Sequence, residues 1–226
     1  MVEVFRLKGV FKLVNEKEKH MVFHELKDAL ARGGCPICFL AERSVARQID
    51  GLFHEMVNDA GVAAELKRSG GFCEKHSEQI LRTDESLGIA IIYKRLLDVF
   101  IGLLKKVRII PKLTACPLCE TYSEAEQRFL SVMLDHWEEL KMSFIATSIL
   151  CINHTHIALA AAGKRSNIKN ELLGIQINKL SALSAELEKF CGKYDYRFKD
   201  DKWGKEKDVW QRAVKLMSVI PKRWRD

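Results

Sequence analysis

"GGCPIC" at 33–38 and "TACPLC" at 114–119 place the same element, two cysteines enclosing a proline, twice in one chain of 226 residues. Each copy is followed by a second motif: Cys73-Glu74-Lys75-His76 after the first, Cys151-Ile152-Asn153-His154 after the second. Cys116 follows Cys35 by 81 residues and Cys151 follows Cys73 by 78, so one small length change superposes the two units. Such an offset, held over two different motifs, marks an internal duplication.

The segments around the motifs read as helices. After the first pair, "FLAERSVARQIDGLFHEM" (39–56) sets Val45, Ile49, Leu52, Phe53 and Met56 on one helical face. After the second, "ETYSEAEQRFLSVMLDHWEEL" (120–140) does the same with Tyr122, Ala125, Phe129, Val132, Met133, Trp137 and Leu140, which predicts one long helix. "EKHSEQILR" and "INHTHIALAAA" follow Cys73 and Cys151 without a breaker, so these cysteines also open helices, the first after a flexible Gly70-Gly71 entry.

Three further helices complete the expectation. One runs from about His20 to Arg32 and ends at Gly33-Gly34. A second, capped by Thr83 or Asp84, carries Ile89, Ile92, Tyr93, Leu96, Phe100, Leu103 and Val107 and stops at Pro111. A third follows the break at Gly163–Asn167, with Ile168, Leu172, Leu173, Ile177, Leu180, Leu187 and Phe190 in register. Only "VEVFRLKGVFKLV" at the start suggests a short strand, so the fold class is all-α. The organisation expected is an N-terminal segment (1–19), a first helical unit (20–110), a second (111–163) and C-terminal helices with a basic, aromatic tail (164–226), within one compact domain.

Charged residues make up 30% of the chain and hydrophobic ones 47%, as in a globular protein with a sizeable core. The most apolar stretch, 87–110, is interrupted by Lys94, Arg95 and Asp98, so no transmembrane span is expected, and the first twenty residues do not read as a signal peptide. A cytoplasmic, reducing setting follows, in which seven cysteines point to metal binding or catalysis rather than to disulfides. A net charge of +7 admits an acidic partner, although dispersed Lys and Arg also serve a solvated surface.

Three chemistries compete for the repeated cysteines. CPIC and CPLC taken alone resemble glutaredoxin-like active sites, but that chemistry is carried on a βαβ scaffold, and it needs no accompanying C-x-x-H. Buried cysteines that merely pack would not recur in matched motifs. A metal held by three cysteines and one histidine, twice over, accounts for all eight residues: Cys35, Cys38, Cys73 and His76 in one site, Cys116, Cys119, Cys151 and His154 in the other. Zn²⁺ suits a closed four-ligand site, which gives two zinc ions per chain, with an iron–sulfur cluster on the same ligands as the alternative. His154 is preferred to His156 because it repeats the Cys73–His76 spacing. His20, His24, His54 and His136 are read as solvated helix surface, and Cys191 as a packing residue.

These motifs, with "GFCEKH" (71–76) as the fuller second motif and "KYDYRF" (193–198) before a Trp-bearing helix, resemble an uncharacterised family of bacterial and archaeal proteins, a domain of unknown function, over about His20 to Met217. The resemblance implies no activity and strengthens the metal assignment. The second unit departs from it: "ILCINHTH" lacks the glycine before the cysteine, and a tilted or weaker second site is expected.

Function then divides by class. No phosphate loop, nucleophile elbow or carboxylate pair stands out, and a four-ligand site leaves no open position for substrate, so a non-enzymatic interaction or adaptor module with an unknown protein partner is preferred. An iron–sulfur redox protein is the enzyme-class rival. Nucleic-acid binding is the third class, because 193–226 holds 11 Lys or Arg against 6 Asp or Glu, with Tyr196, Arg197, Trp203 and Trp210 as candidate contacts. Against it, Val209, Trp210, Ala213, Val214 and Met217 read as the buried stripe of an amphipathic helix. A homo-oligomer is compatible with all three.

Overall fold

The computed structural model describes residues 16–106, 113–194 and 204–218. The whole of the expected strand (2–14), Val107, Pro111, Tyr196, Arg197 and Trp203 lie outside them. The described residues form ten α-helices: α1 (Glu16–Ala31), α2 (Pro36–His54), α3 (Ala60–Ser69), α4 (Glu74–Ile80), α5 (Ser86–Lys105), α6 (Pro117–Asp135), α7 (Trp137–Thr147), α8 (Ile152–Ala162), α9 (Ser166–Gly192) and α10 (Val209–Met217), with a 3₁₀ turn at Lys205–Asp208. No strand occurs among them, only an isolated bridge between Gly34 and Ser148. Among the described residues no helix is long and apolar enough to cross a membrane.

The centre is the pair α2 and α6, the two helices that the CPxC motifs open. They run antiparallel. The first turns of α2 (Ile37, Leu40, Ala41) share a core with the second half of α6 (Phe129, Leu130, Met133), whereas the later turns of α2 (Val45, Ile49, Leu52) pack with Leu118 at the start of α6. Two cores result, one at each end of the pair. The larger adds Leu26 and Leu30 of α1, Trp137 and Phe144 of α7, Ala158 of α8 and Leu172 of α9; the smaller adds Leu66, Ile80 and Ile92 of α3, α4 and α5. Tyr122 on α6 packs against both. Full burial of side chains such as Phe129, Phe144 and Trp137 stabilises the larger core by about 2–3 kcal/mol each. The Trp137 indole N–H donates to Glu171 Oε2 at 2.8 Å, so its polar edge is satisfied.

Several expectations are corrected. The continuous helix over 120–140 is two: the backbone turns at His136 (φ −107°, ψ 28°), and Trp137 and Leu140 belong to α7. They stay buried because the turn redirects the same apolar stripe onto α1. α1 begins at Glu16, four residues before His20. The residue that caps α5 is Glu85 rather than Thr83 or Asp84, and it makes no side-chain cap bond. Of the α5 stripe only Ile92 is buried, and Phe100 is exposed. On α9 the buried line passes through Leu172 and Gln176, which leaves Leu173 and Ile177 outside it. Cys191 is exposed and so is not a buried packing residue. In α10 the inward face is Val209 and Leu216, while Trp210, Val214 and Met217 face solvent, about a third of a turn away from the stripe expected from the sequence.

Candidate metal centres

All four motifs use one local device. Cys35, Cys73, Cys116 and Cys151 are the N-cap residues of α2, α4, α6 and α8, in extended backbone just before the first turn. The fourth motif residue, Cys38, His76, Cys119 or His154, is then the third residue of the helix. N-cap and third-residue side chains project to the same side of a helix start, the relationship a capping box exploits. Pro36 and Pro117 sit at the first helical position, where the missing N–H costs nothing. The helix ends also favour thiolate, through free N–H groups and the positive end of the dipole. In α8 this is direct: the His154 backbone N–H donates to Cys151 Sγ at 3.4 Å.

The motifs assemble crosswise. Cys35 and Cys38 of the first unit meet Cys151 and His154 of the second; Cys73 and His76 of the first meet Cys116 and Cys119 of the second. The sequence expectation that each unit completes its own site is thereby corrected, although the eight residues are the same. The reason is the antiparallel α2–α6 pair. α2 has 19 residues and carries the chain about 28 Å from Cys35, to the end at which α6 begins. The first C-x-x-H is therefore delivered to the second C-x-x-C, and the converse holds for α6.

The segments leading into the motifs are tied across the same way. The Ile149 N–H, just ahead of Cys151, donates to Gly34 O at 3.0 Å beside Cys35, and the Thr114 N–H, just ahead of Cys116, donates to Arg68 O at 3.1 Å. Gly70 and Gly71 enter the first C-x-x-H with φ of 71° and 105°, and a Cβ on Gly70 would meet Leu113 Cδ1 at 2.9 Å. The second C-x-x-H lacks such glycines and is braced differently. Buried Gln176 of α9 accepts from Leu150 N–H (3.1 Å) and donates to Leu150 O (3.0 Å) and Thr155 Oγ1 (2.7 Å).

In the first tetrad His154 Nδ1 lies 3.3, 3.2 and 3.1 Å from the sulfurs of Cys35, Cys38 and Cys151, and Cys38 Sγ lies 3.6 Å from Cys151 Sγ. In the second, His76 Nδ1 lies 3.2, 3.5 and 3.4 Å from those of Cys73, Cys116 and Cys119, and Cys73 Sγ lies 3.6 Å from Cys119 Sγ. Bonds of about 2.0–2.3 Å in a tetrahedron give edges of about 3.5–3.8 Å, so the sulfur–sulfur contacts match a single four-coordinate ion and the nitrogen–sulfur contacts, at 3.1–3.5 Å, are up to a few tenths of an ångström tighter. His76, His154 and Cys151 are buried, the other five cysteines half-buried. His156 is exposed and joins neither tetrad.

Sulfurs held this closely compete for protons. Hydrogen bonds to Cys151 and Cys35, with burial, push the Cys38 thiol far up, while hydrogen bonds from Cys35 and Cys38 pull Cys151 down toward thiolate. Burial and the neighbouring Cys116 raise Cys119. Burial lowers His76 to about 4, which keeps its imidazole neutral and able to bind a metal. Burial also opposes charge on His154, but Cys151, Cys35 and Glu126 outweigh it and raise the group to about 11. A divalent cation at the centre of each tetrad would neutralise this crowding.

Glu126 was not legible in the sequence. Its Oε1 lies 2.7 Å from His154 Nε2, so the carboxylate fixes the ring with Nδ1 toward the sulfurs. Asn153 Nδ2 approaches the same oxygen at 3.5 Å. Two turns of α6 separate Glu126 from Cys119, and no motif flags it. Of the tail candidates, Trp210 is 50% exposed and belongs to neither tetrad.

The family model described as "Family of unknown function (DUF6062)" matches residues 18–112 and 105–223. No curated protein and no solved structure gives a significant match.

Proposed function

The chain belongs to that family of unknown function (DUF6062), and on its own geometry we propose that it is a non-enzymatic zinc protein, two Zn²⁺ ions per chain, serving as a protein-interaction module. The observation that carries this reading is the pair of crossed Cys₃His tetrads, each with four donors gathered to the spacing of one tetrahedral ion. Thiolate and imidazole donors in a closed tetrahedron match Zn²⁺ by softness and geometry. An iron–sulfur cluster would spread its ligands over several irons and needs wider separations than 3.1–3.6 Å.

A structural role is supported by the connectivity. Each tetrad joins residues more than 110 or about 40 positions apart, at helix starts from both repeats, and leaves no coordination position open for substrate or activated water. The ions act as cross-links between the repeats. The interaction role is supported by α5, whose Leu97, Phe100, Ile101 and Leu104 are exposed apolar side chains on a helix of otherwise high hydrophobicity. A cytoplasmic location fits seven unpaired thiols.

One observation favours a second reading, nucleic-acid contact by the tail: Trp210 is half exposed, and Lys207 and Lys215 of the same segment are exposed. Against it, Arg212 is engaged by Glu186 and Asp208. Native mass spectrometry with elemental analysis tests the proposal. Two zinc ions per chain are expected; iron, or one metal per chain, would contradict it.

A further inference from the structure

A cavity of about 860 Å³ opens beside the first tetrad, between the starts of α2 and α8 and the helices α9 and α10. Its size falls within the roughly 300–1,000 Å³ typical of small-molecule sites. Phe39, Ile149, Leu183 and Leu216 supply an apolar wall, and Cys35, Cys38, Cys151 and His154 also line the space. Lys75, Lys179, Arg212 and Lys215 are its cations, Glu42 and Glu186 its carboxylates.

The charges do not cancel. Glu186 is engaged by Arg212, which Asp208 also contacts. Lys75 lies over the Tyr122 ring at 5.0 Å, and Lys179 Nζ donates to Ile145 O and faces the Phe144 ring at 5.9 Å. Among the described residues, none of Lys75, Lys179 and Lys215 has a carboxylate in ion-pair contact. Three ammonium groups therefore face Glu42 and the tetrad itself. On the zinc reading, on which this step rests, three thiolates and a neutral imidazole around a divalent ion carry one negative charge. Counted over the groups that line the cavity, and so without Glu126, which contacts His154 but does not line it, one positive charge is left over; half-buried Lys179 gains most from an anionic partner because burial already disfavours its charge.

We propose that this cleft binds a small organic monoanion with an apolar body. Its acid group is held by Lys179 and Lys215, and its body lies along Phe39, Ile149, Leu183 and Leu216. Neither the family description nor the metal centres require such a ligand; it would give the chain a chemical input beside its first metal centre.

Fluorescence titration of the full-length, metal-loaded chain with 8-anilinonaphthalene-1-sulfonate tests this, with the uncharged N-phenyl-1-naphthylamine as the matched neutral probe. One saturable sulfonate site is expected. The Lys179→Met/Lys215→Met double variant, which keeps both apolar stems, should bind the sulfonate at least about tenfold more weakly, the loss expected for one charge-assisted hydrogen bond. Met142→Lys, at an exposed position of α7 that does not line the cavity, should leave sulfonate binding unchanged. Equal affinity of the parent for both probes, sulfonate binding unaltered by the double lysine variant, or loss of binding in Met142→Lys would each overturn the proposal. If the lysine variant does not fold, the comparison of probes in the parent decides. Elemental analysis of the same samples separates failure of the cleft from failure of the zinc assignment.

Discussion

Cys38 Sγ stands 3.6 Å from Cys151 Sγ, although 113 residues separate them in the chain. The contact closes a tetrad whose other members, Cys35 and His154, come from the same two helix starts. Two such closures, at opposite ends of an antiparallel helix pair, make the repeats interdependent: neither holds a complete ligand set.

Metal removal should therefore act on the whole molecule. Structural zinc contributes roughly 10–16 kcal/mol in small domains, comparable to the roughly 5–15 kcal/mol net stability of a folded protein. Chelation should lower the melting temperature sharply and expose apolar surface to a hydrophobic dye. Cys38→Ser should do the same in part, while Cys191→Ser, at an exposed position, should melt like the parent. A chelated chain with unchanged melting would show that packing alone sustains the fold.

Much of this was legible in the sequence, and what was not has a physical cause. The α-helical class followed from apolar periodicity, and the eight ligands from two motifs recurring at nearly one offset. Their pairing did not follow, because two C-x-x-C and two C-x-x-H motifs can be matched within or between repeats without any change in spacing. The 19-residue α2 held the clue: a helix of that length removes the chain from Cys35, and the 10-residue α3 cannot bring it all the way back. Glu126 and Gln176 were illegible for another reason. Their roles depend on which helix face meets a neighbour from far along the chain, and the facing of α9 and α10 was misjudged by sequence pattern for the same reason.

Glu126 should tune one site only. Glu126→Leu removes the carboxylate that orients His154, and losing the hydrogen-bond partner of a metal-binding histidine weakens metal binding by about 10–100-fold. Competition with a chromophoric chelator should reveal one weakened and one unchanged ion. Two equally weakened ions would mean that the substitution acts through general stability.

The α10 helix separates buried from exposed apolar residues. Leu216 is 7% exposed and Trp210 is 50% exposed. Leu216→Ala should cost about 2 kcal/mol or more, and Trp210→Ala less than about 1 kcal/mol, in denaturant unfolding. The reverse order would restore the stripe that the sequence pattern suggested.

The turn that leads into α10 should respond to acid. Hydrogen bonds from Lys193 Nζ (2.5 Å) and Gly204 N–H (2.8 Å) hold the Glu206 carboxyl at about 2, below its ordinary value near 4.5. A carboxyl depressed on folding stabilises the docked turn above the ordinary value, and that contribution is lost as pH falls from about 4.5 through about 2. Amide exchange of 205–208, relative to Glu206→Gln, should show protection that fades over that window. Protection identical in the two proteins at pH 6 would remove Glu206 from the account.

The crossing of the metal centres is tested most directly by counting metals in paired variants. Cys38→Ser/Cys151→Ser changes two ligands of one tetrad, so this chain should retain one zinc ion at Cys73, His76, Cys116 and Cys119. Cys38→Ser/Cys73→Ser changes one ligand in each tetrad and should leave neither ion tightly bound. Native mass spectrometry under matched metal loading reads both counts. One ion in the first variant and none in the second is the predicted result; none in the first and one in the second would show that each repeat binds its own metal.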